Sequence, residues 1–420
     1  MGCARVGKTM KVVVFTLGCK VNSCESQALI KGFFDLGYEV SEELEYADIY
    51  VINTCAVTKE AEKKSRQAVA RVRKQNPLAK IIVTGCASER APESFMSKDG
   101  VTLVTGTASK EKIIELIKQN GCKISEPETS YHELPTPKTS KVRAYVKVQD
   151  GCNNFCSNCI IPYLRGRSRS RNPINVKNEI EFLKPVEAIL TAINLSAYNF
   201  EGINLAGLIS SLKGVKSRIR LGSLEENVIT DEFLTALSSL DDFAPHFHLS
   251  LQSGSEKTLK DMRRKYDTLT FLKGVELIRK YFPNAGITTD VIVGYPTETE
   301  EDLLTSMSFV EKVAFSDVHV FTYSPREGTL SYKLKDLPGE VKKSRTERMI
   351  ELKGRLKTHF ITQNLGMTHE VIIEEYVDGY SVGYTANYIK TYIDKKLNEG
   401  KYTVKLNNVF KDGALATIKE

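Results

Sequence analysis

The sequence contains no apolar run approaching the roughly 20 residues that a membrane span requires. Its opening, MGCARVGKTMKVVV, has neither the long apolar stretch nor the small-residue cleavage site of a secretion signal. Membrane insertion and export are set aside, and a cytoplasmic protein is expected. A disulfide framework is set aside too. Nine cysteines, an odd number, are spread over 420 residues, and in a reducing compartment spaced cysteines more often serve metal or redox chemistry. Excess charge of one sign is also scarce: a formal net charge of +7 permits a polyanionic partner without demanding one. No internal repeat stands out. With 41% hydrophobic and 26% charged residues the chain can bury a sizeable core, and its length suits two or three domains.

In the first third, KVVVF, DIYVI, KIIV and VTLV alternate with amphipathic segments of helical length, which predicts a parallel α/β sheet. The polar, proline-rich stretch from Lys123 to Lys141 reads as a linker. From Val142 the βα alternation resumes with VRAYVKV, AILTAI, SRIRL, HFHLSL, ITTDVIV and DVHVFT. Six such units predict a full or partial parallel barrel of the TIM type, with its chemistry at the strand C-terminal ends. A charged helix is expected from about Glu340 to Gln363. The last 55 residues then alternate in strands such as HEVIIEEY and YTVKL, predicting a small antiparallel β-barrel. The expected fold class is α/β with that small β-barrel at its end, divided into 1–140 with its linker, 141–365, and 366–420.

In DGCNNFCSNCIIP, Cys152, Cys156 and Cys159 form a CxxxCxxC motif just after the first barrel strand. Three thiolates on one loop can hold three irons of a [4Fe-4S] cluster and leave the fourth open. The competing readings are a zinc site, which typically uses CxxC pairs and four protein ligands, and chance clustering; no second CxxC follows. Cys19, Cys55 and Cys86 each fall just beyond a predicted strand, in FTLGC, VINTC and VTGC. In an open α/β sheet the loops after the strands gather at one edge, so these three could converge on a second cluster. Buried structural cysteine explains them equally well. Cys3, Cys24 and Cys122 fit neither set and read as ordinary thiols.

Two further patterns invite a reading. YLRGRSRSR places Arg165, Arg167, Arg169 and Arg171 on alternate positions, so an extended backbone would project all four guanidinium groups to one side, as a polyanion contact or as a solvated segment. GCARVGKT, from Gly2 to Thr9, matches the phosphate-loop pattern, but a phosphate loop must follow a strand and open a helix, and here a strand comes after it. Val6 stands where myristoylation needs Ser or Thr.

Across nearly its whole length the chain resembles the radical S-adenosylmethionine methylthiotransferase family. TLGCKVN with the later NTC and TGC resembles the family's N-terminal domain. GCNNFCSNCIIPYLRGRSRSR, SLQSGSEKTLKDMRRKY, TTDVIVGYPTETEEDL and HVFTYSPREGT resemble its radical domain, and the final 55 residues resemble a TRAM domain, a small OB-like barrel implicated in RNA binding. The opening TLGCKVN is more similar to the threonylcarbamoyladenosine branch than to the isopentenyladenosine branch, which reads TYGCQMN, or the ribosomal-protein branch, which reads SLGCPKN. Two departures stand out: Asn158 replaces the usual aromatic residue before the last loop cysteine, and AINLSAYNF replaces the usual GVNLGSYG.

The resemblance implies two [4Fe-4S] clusters, with Cys152, Cys156 and Cys159 as ligands of the radical cluster and Cys19, Cys55 and Cys86 as ligands of an auxiliary one. It implies S-adenosyl-L-methionine as the second cofactor. It also implies transfer of a methylthio group to carbon-2 of threonylcarbamoyladenosine in the tRNA anticodon loop, through a deoxyadenosyl radical. Methylthiolation of isopentenyladenosine or of a ribosomal protein is the alternative within enzymes; an electron carrier or RNA-binding module without turnover is the alternative outside them. Asn194, Gln252, Ser253, Gly254 and Asp290, at or beside predicted strand ends, are candidates for holding S-adenosylmethionine, although each also reads as a turn or capping residue. No catalytic residue is assigned beyond the cluster ligands. Expected partners are tRNA, an electron donor such as flavodoxin or ferredoxin, and a sulfur source. From Thr368 to Glu420 seven Lys face eight Asp plus Glu, so the small barrel lacks a basic footprint. It holds Tyr376, Tyr380, Tyr384, Tyr388, Tyr392 and Tyr402; exposed ones can stack on unpaired bases, and at least half are expected to pack the barrel core.

Overall fold

The computed structural model describes residues 9–108, 110, 112–137 and 142–419. The phosphate-loop match at Gly2 to Thr9, apart from Thr9, Cys3, and the linker's last four residues lie outside them. By internal contacts the chain forms two units: 1–139 with 150–153 and 159–169, and 140–149 with 154–158 and 170–420.

The first unit is built on six strands: β1 (Lys11–Thr16), β2 (Glu39–Ser41), β3 (Ile49–Thr54), β4 (Lys80–Gly85), β5 (Val101–Thr105) and β6 (Gly121–Lys123). All pair in parallel, in the order β2-β1-β3-β4-β5-β6. The expected strands β1, β3, β4 and β5 form; β2 and β6, three residues each, were too short for periodicity to register. β1 and β3 are apolar without alternation because both faces are covered: Val13, Tyr50, Ile52 and Val83 lie in one cluster and Val12, Val14, Val51 and Ile82 in the other. The helix Lys59–Gln75 shows how local signals place one cover. Thr58 caps it by accepting from the Ala61 N–H, Glu60 and Glu62 stand in its first turn, Arg73 and Lys74 in its last, and Ala68, Val69 and Val72 face the sheet. The strand order reverses direction between β1 and β3, the switch point where ligands collect outside the strand C-termini.

The second unit opens with β7 (Arg143–Asp150) and the short β8 (Arg169–Ser170), then β9 (Glu187–Ala192), a ribbon of β10 (Asn199–Phe200) and β11 (Ile203–Asn204), and β12 (Arg218–Leu221) followed after Gly222 by β13 (Ser223–Leu224). It continues with β14 (His246–Gln252), β15 (Gly286–Val293) and β16 (Asp317–Thr322). The six long strands are the six expected. β7, β9 and β12 pair in parallel, as do β13, β14, β15 and β16, so the β12–β13 segment joins two open sheets into an incomplete parallel barrel. Its core runs from Val146 and Leu190 to Leu249, Val291 and Val318. The helix Gly339–Gln363 lies where it was expected and buries Met349, Leu352 and Leu356.

The C-terminal strands β17 (Thr368–Val377), β18 (Tyr380–Thr385), β19 (Lys390–Ile393), β20 (Gly400–Phe410) and β21 (Gly413–Ile418) close a barrel in the order β17-β18-β19-β21-β20. The barrel is not wholly antiparallel as expected: β19 and β21 run parallel, the pairing that closes a five-stranded OB-like barrel. It is docked at the strand starts of the larger barrel. Arg143, first in β7, bonds Glu374; Arg218, first in β12, pairs with Glu370; Arg220 donates to the Thr385 carbonyl; and His246, first in β14, stacks on Tyr388 at 4.3 Å. Among the described residues no helix is long and apolar enough to cross a membrane.

Candidate functional site

The three N-terminal cysteines sit where β1, β3 and β4 end. Cys19 caps the helix Lys20–Asp35, Cys55 follows β3 directly, and Cys86 opens the short helix Cys86–Arg90. Side-chain amides and hydroxyls tie these ends together. Asn22 donates to the carbonyls of Leu17 and Thr54 at 2.8 and 2.9 Å; Thr54 donates to the Thr84 carbonyl and accepts from the Ala87 and Ser88 N–H groups. Ser65 clasps Cys55, accepting from its N–H and donating to its carbonyl at 3.1 Å. Gly18 (φ +102°) has no room for a side chain, because a Cβ there would lie 2.7 Å from the Cys55 sulfur. Such a fit brings the Cys19 loop against Cys55.

The thiols also sense one another. Burial pushes Cys55 up to about 11, and charge on Cys86 and on Cys19 pushes the same way, while Arg165 pulls it down. Cys55 and Cys86 are buried and Cys19 is exposed, and none of the described cysteines is in a disulfide. A thiol raised in this way, as Cys55 is, stays protonated unless a metal takes the proton's place. Among the described residues no three His, Cys, Asp or Glu side chains form a cage for a single metal ion. An iron-sulfur cube, with sulfide between its irons, accepts thiolates set farther apart than one ion does. Three cysteines at neighbouring strand ends and a tight glycine approach fit such a cube.

The CxxxCxxC loop leaves β7 at Asp150. In the first unit the Cys152 N–H donates to the Gly166 carbonyl. In the second unit Ser157 anchors the middle of the loop: its N–H donates to the Met262 carbonyl, and its hydroxyl lies 2.8 Å from the Asp261 carbonyl and 2.9 Å from the Tyr295 hydroxyl. Cys152 and Cys156 are buried and Cys159 is half-buried. An all-thiol loop without a fourth cysteine suits a cluster with one open iron better than zinc.

At the barrel's C-terminal end a cavity of about 100 Å³ is lined by Asn154, Cys156, Glu225, Glu226, Arg264 and Tyr266, among others. Glu225 is its hub: it accepts from Asn154 at 2.7 Å and from Asn194 at 3.3 Å. Burial lifts Glu226 to about 7, helped by the charge on Glu225, and raises Tyr266 above the ordinary phenol value. The Tyr266 hydroxyl is committed to the Ser250 and Leu251 carbonyls. Sequence reasoning missed Glu225, Glu226, Arg264 and Tyr266; the doubled acid after a strand in RIRLGSLEEN was the available signal.

Of the five expected S-adenosylmethionine contacts, Asn194, Gln252 and Asp290 sit at strand ends or on a strand. Asn194 donates through its N–H to Gln149 Oε1 at 3.0 Å, Gln252 ends β14 with φ +69°, and Asp290 lies 3.3 Å from His248. Ser253 and Gly254 follow β14 directly, and each is engaged by a hydrogen bond within the protein. The Ser253 hydroxyl accepts from the Ser255 N–H, and the Gly254 N–H donates to the Ser306 hydroxyl. A Cβ on Gly254 would lie 2.7 Å from that of Phe309, so close helix packing explains the glycine.

The arginine run does not form one extended strand that projects all four guanidinium groups to one side. Only Arg169 and Ser170 are in a strand, and Arg165 is 1% exposed. Its guanidinium bonds Glu25, Asp150 and Asn22. Arg171 is buried against Glu179, and Arg169 bonds Asp150 and the Arg165 carbonyl. Their carboxylate partners lie outside the run, so local charge could not reveal the pairing. Arg167 is the exposed member. Among the barrel tyrosines, Tyr392 is buried and Tyr384 and Tyr388 stack at 4.8 Å beside His246, while Tyr376 is exposed.

Two family models match: Uncharacterized protein family UPF0004 over residues 11–106 and the Radical SAM superfamily over 146–310. The threonylcarbamoyladenosine tRNA methylthiotransferase MtaB of Bacillus subtilis is 40% identical over 386 residues, which cover 87% of this chain and 85% of that one. The tRNA-2-methylthio-N(6)-dimethylallyladenosine synthase of Thermoanaerobacter sp. is 34% identical, covering 88% and 83%. Among solved structures, the radical S-adenosylmethionine methyltransferase TsrM from Kitasatospora setae shares the fold, with TM-score 0.54 at 12% identity over 75% of this chain and 72% of that one. The radical S-adenosylmethionine match implies a [4Fe-4S] cluster and S-adenosylmethionine as cofactors. With relatives this similar over most of its length, the chain belongs to the radical S-adenosylmethionine methylthiotransferase family.

Proposed function

We propose that this enzyme adds a methylthio group to carbon-2 of threonylcarbamoyladenosine in the tRNA anticodon loop, using two [4Fe-4S] clusters. The observation that carries the reading is that one chain holds both cysteine sets, three at the ends of β1, β3 and β4 and three on the loop after β7. The preference for threonylcarbamoyladenosine is supported by the relatives of that name at 35–40% identity. When bound, the clusters would supply the electron that cleaves S-adenosylmethionine and a place to present sulfur.

The chain's own residues then have defined tasks. Cys152, Cys156 and Cys159 hold one cluster, and Cys19, Cys55 and Cys86 hold the other. Asn194, Gln252 and Asp290, with Glu225 as an added member, position S-adenosylmethionine at the strand ends, and burial there excludes water. Arg167 and the exposed Tyr376 contact RNA. Residues 1–140 form the auxiliary-cluster domain, 141–365 the radical domain and 366–420 the TRAM domain. The enzyme works in the cytoplasm with an electron donor such as flavodoxin or ferredoxin and a separate sulfur source.

Nucleoside analysis of tRNA from a strain lacking the protein tests the reading. The methylthio form of threonylcarbamoyladenosine should disappear and return on complementation. Loss of methylthio-isopentenyladenosine instead, or a mass gain on a ribosomal protein only, would replace it.

A further inference from the structure

Arg165 belongs to the run read from sequence as a polyanion contact or a solvated segment, yet it is fully enclosed in the first unit. A guanidinium offers five N–H donors and no acceptor. Its two outer nitrogens bond only to oxygen: Nη1 to Glu25 at 2.8 Å and to both Asp150 oxygens at 3.1 and 3.3 Å, Nη2 to Asn22 at 2.8 Å and to Glu25 at 3.1 Å. The remaining nitrogen, Nε, points at the Cys86 sulfur, 3.4 Å away.

The surroundings hold that contact rigidly. Glu25 takes both edges of the guanidinium fork and is itself bonded by Lys110, which also reaches Asn53 at 2.9 Å. Asp150 takes the outer nitrogen and is bonded by Arg169. Within this bonded set three cations, Arg165, Arg169 and Lys110, meet two carboxylates, Glu25 and Asp150. Buried charge that exceeds its partners is costly, and the atom to which Arg165 turns its last donor is a sulfur. That balance suits a sulfur carrying negative charge.

We propose that Arg165 is a positioning residue for the auxiliary cluster, donating to the Cys86 thiolate and raising the reduction potential of whatever cluster that thiolate holds. The proposal rests on Cys19, Cys55 and Cys86 being the ligands. Hydrogen bonds and positive charge at a ligating sulfur favour the reduced, more negative state. Arg165 also connects chemistry to fold: the Asp150 that clamps it is the last residue of β7, two positions before Cys152.

The experiment uses the full chain with Cys152, Cys156 and Cys159 changed to Ala, reconstituted with iron and sulfide so that only the auxiliary cluster forms. Iron is counted and the potential is read by spectroscopically monitored titration in that parent and in three variants. Arg165→Lys keeps the charge but loses the forked donor, and should move the potential negative. Arg165→Gln loses both and should move it further. Asp150→Asn leaves the sulfur contact and removes an opposing charge, so it should move the potential positive. The opposite sign separates tuning from general damage, and Arg165→Lys with Asp150→Asn decides the matter if Arg165→Gln does not fold. Iron retained at about four atoms per chain with no change of potential in these two would overturn the proposal while leaving the ligand assignment standing. A parent that takes up no iron would overturn the ligand assignment, and this proposal with it.

Discussion

The N-terminal sheet and the loop after β7 each supply three cysteines, and they do so by different means. On the loop, Cys152, Cys156 and Cys159 lie within eight residues of sequence, so the chain between them already confines them to one loop, whose middle Ser157 anchors. On the sheet, Cys19, Cys55 and Cys86 are 36 and 31 positions apart, and only the parallel pairing of β1, β3 and β4 brings their loops to one edge. The sheet site therefore needs a lattice of buried polar side chains, with Asn22, Asn53, Thr54 and Ser65 tying one strand end to the next. Proximity that comes from topology has to be stabilised by side chains; proximity that comes from spacing is already present in the chain.

The strongest test of this difference removes one cysteine from each set. Cys55→Ala should lower iron from about eight to about four atoms per chain, abolish methylthio transfer and spare reductive cleavage of S-adenosylmethionine to deoxyadenosine. Cys156→Ala should retain the auxiliary iron and abolish cleavage. Iron assay with product analysis reads both, and a Cys55→Ala protein with full iron and full transfer would return the sheet cysteines to a structural role.

A second test asks whether the ion pairs at the barrel's strand starts are separable from the cysteine sites. Glu187 is fully buried between Arg143 and Arg220, at 2.8 Å from each. Glu187→Ala would leave the buried Arg220 without its carboxylate and Arg143 with Glu374 alone, and should cost about 3–5 kcal/mol, seen as a lower melting temperature with the iron count unchanged. Burial opposes the charge on Glu187, but Arg220 and Arg143 overcome it and hold the carboxyl below its ordinary value. Its folded value being depressed, the stability it contributes is present above the usual carboxylate range near ~4.3 and is lost as pH falls through the folded value. The melting temperature of the native protein should therefore fall more steeply in acid than that of Glu187→Ala.

Glu226 behaves in the opposite sense, and its effect is smaller. Its folded value is raised by burial to about 7, so the deprotonated form costs stability at higher pH and the cost disappears as pH drops toward the ordinary value. Glu226→Gln should raise the melting temperature by a few degrees at pH 8, with the gain shrinking below about 7. An unchanged melting temperature at pH 8 would mean that the cavity already solvates the carboxylate.

The smallest effect belongs to the arginine run. With Arg165, Arg169 and Arg171 committed to carboxylates, Arg167→Gln alone should weaken tRNA binding evenly across sequences and reduce the salt slope by about one. A slope loss of three or more from this single change would show that the neighbouring arginines also reach phosphate.

Much of this protein is determined by its sequence. Apolar runs bounded by turn signals mark β1, β3, β4 and β5, because a strand covered on both faces is apolar along most of its length, and the recurring alternation of short strands with helical stretches marks the six long barrel strands. The CxxxCxxC spacing is likewise local, since its cysteines share one loop. Tertiary structure alone decided the rest. Alternation in RGRSRSR could not say which guanidinium meets a carboxylate, because Glu25 lies 140 residues from Arg165. SGS after β14 could not reveal that a helix 52 residues later takes the Gly254 N–H. Glu225 became a hub only when β13, β9 and the β7 loop brought Asn194 and Asn154 to it. Charge pairing, close packing and ligand convergence depend on distances through space, whereas periodicity and spacing depend on distances along the chain.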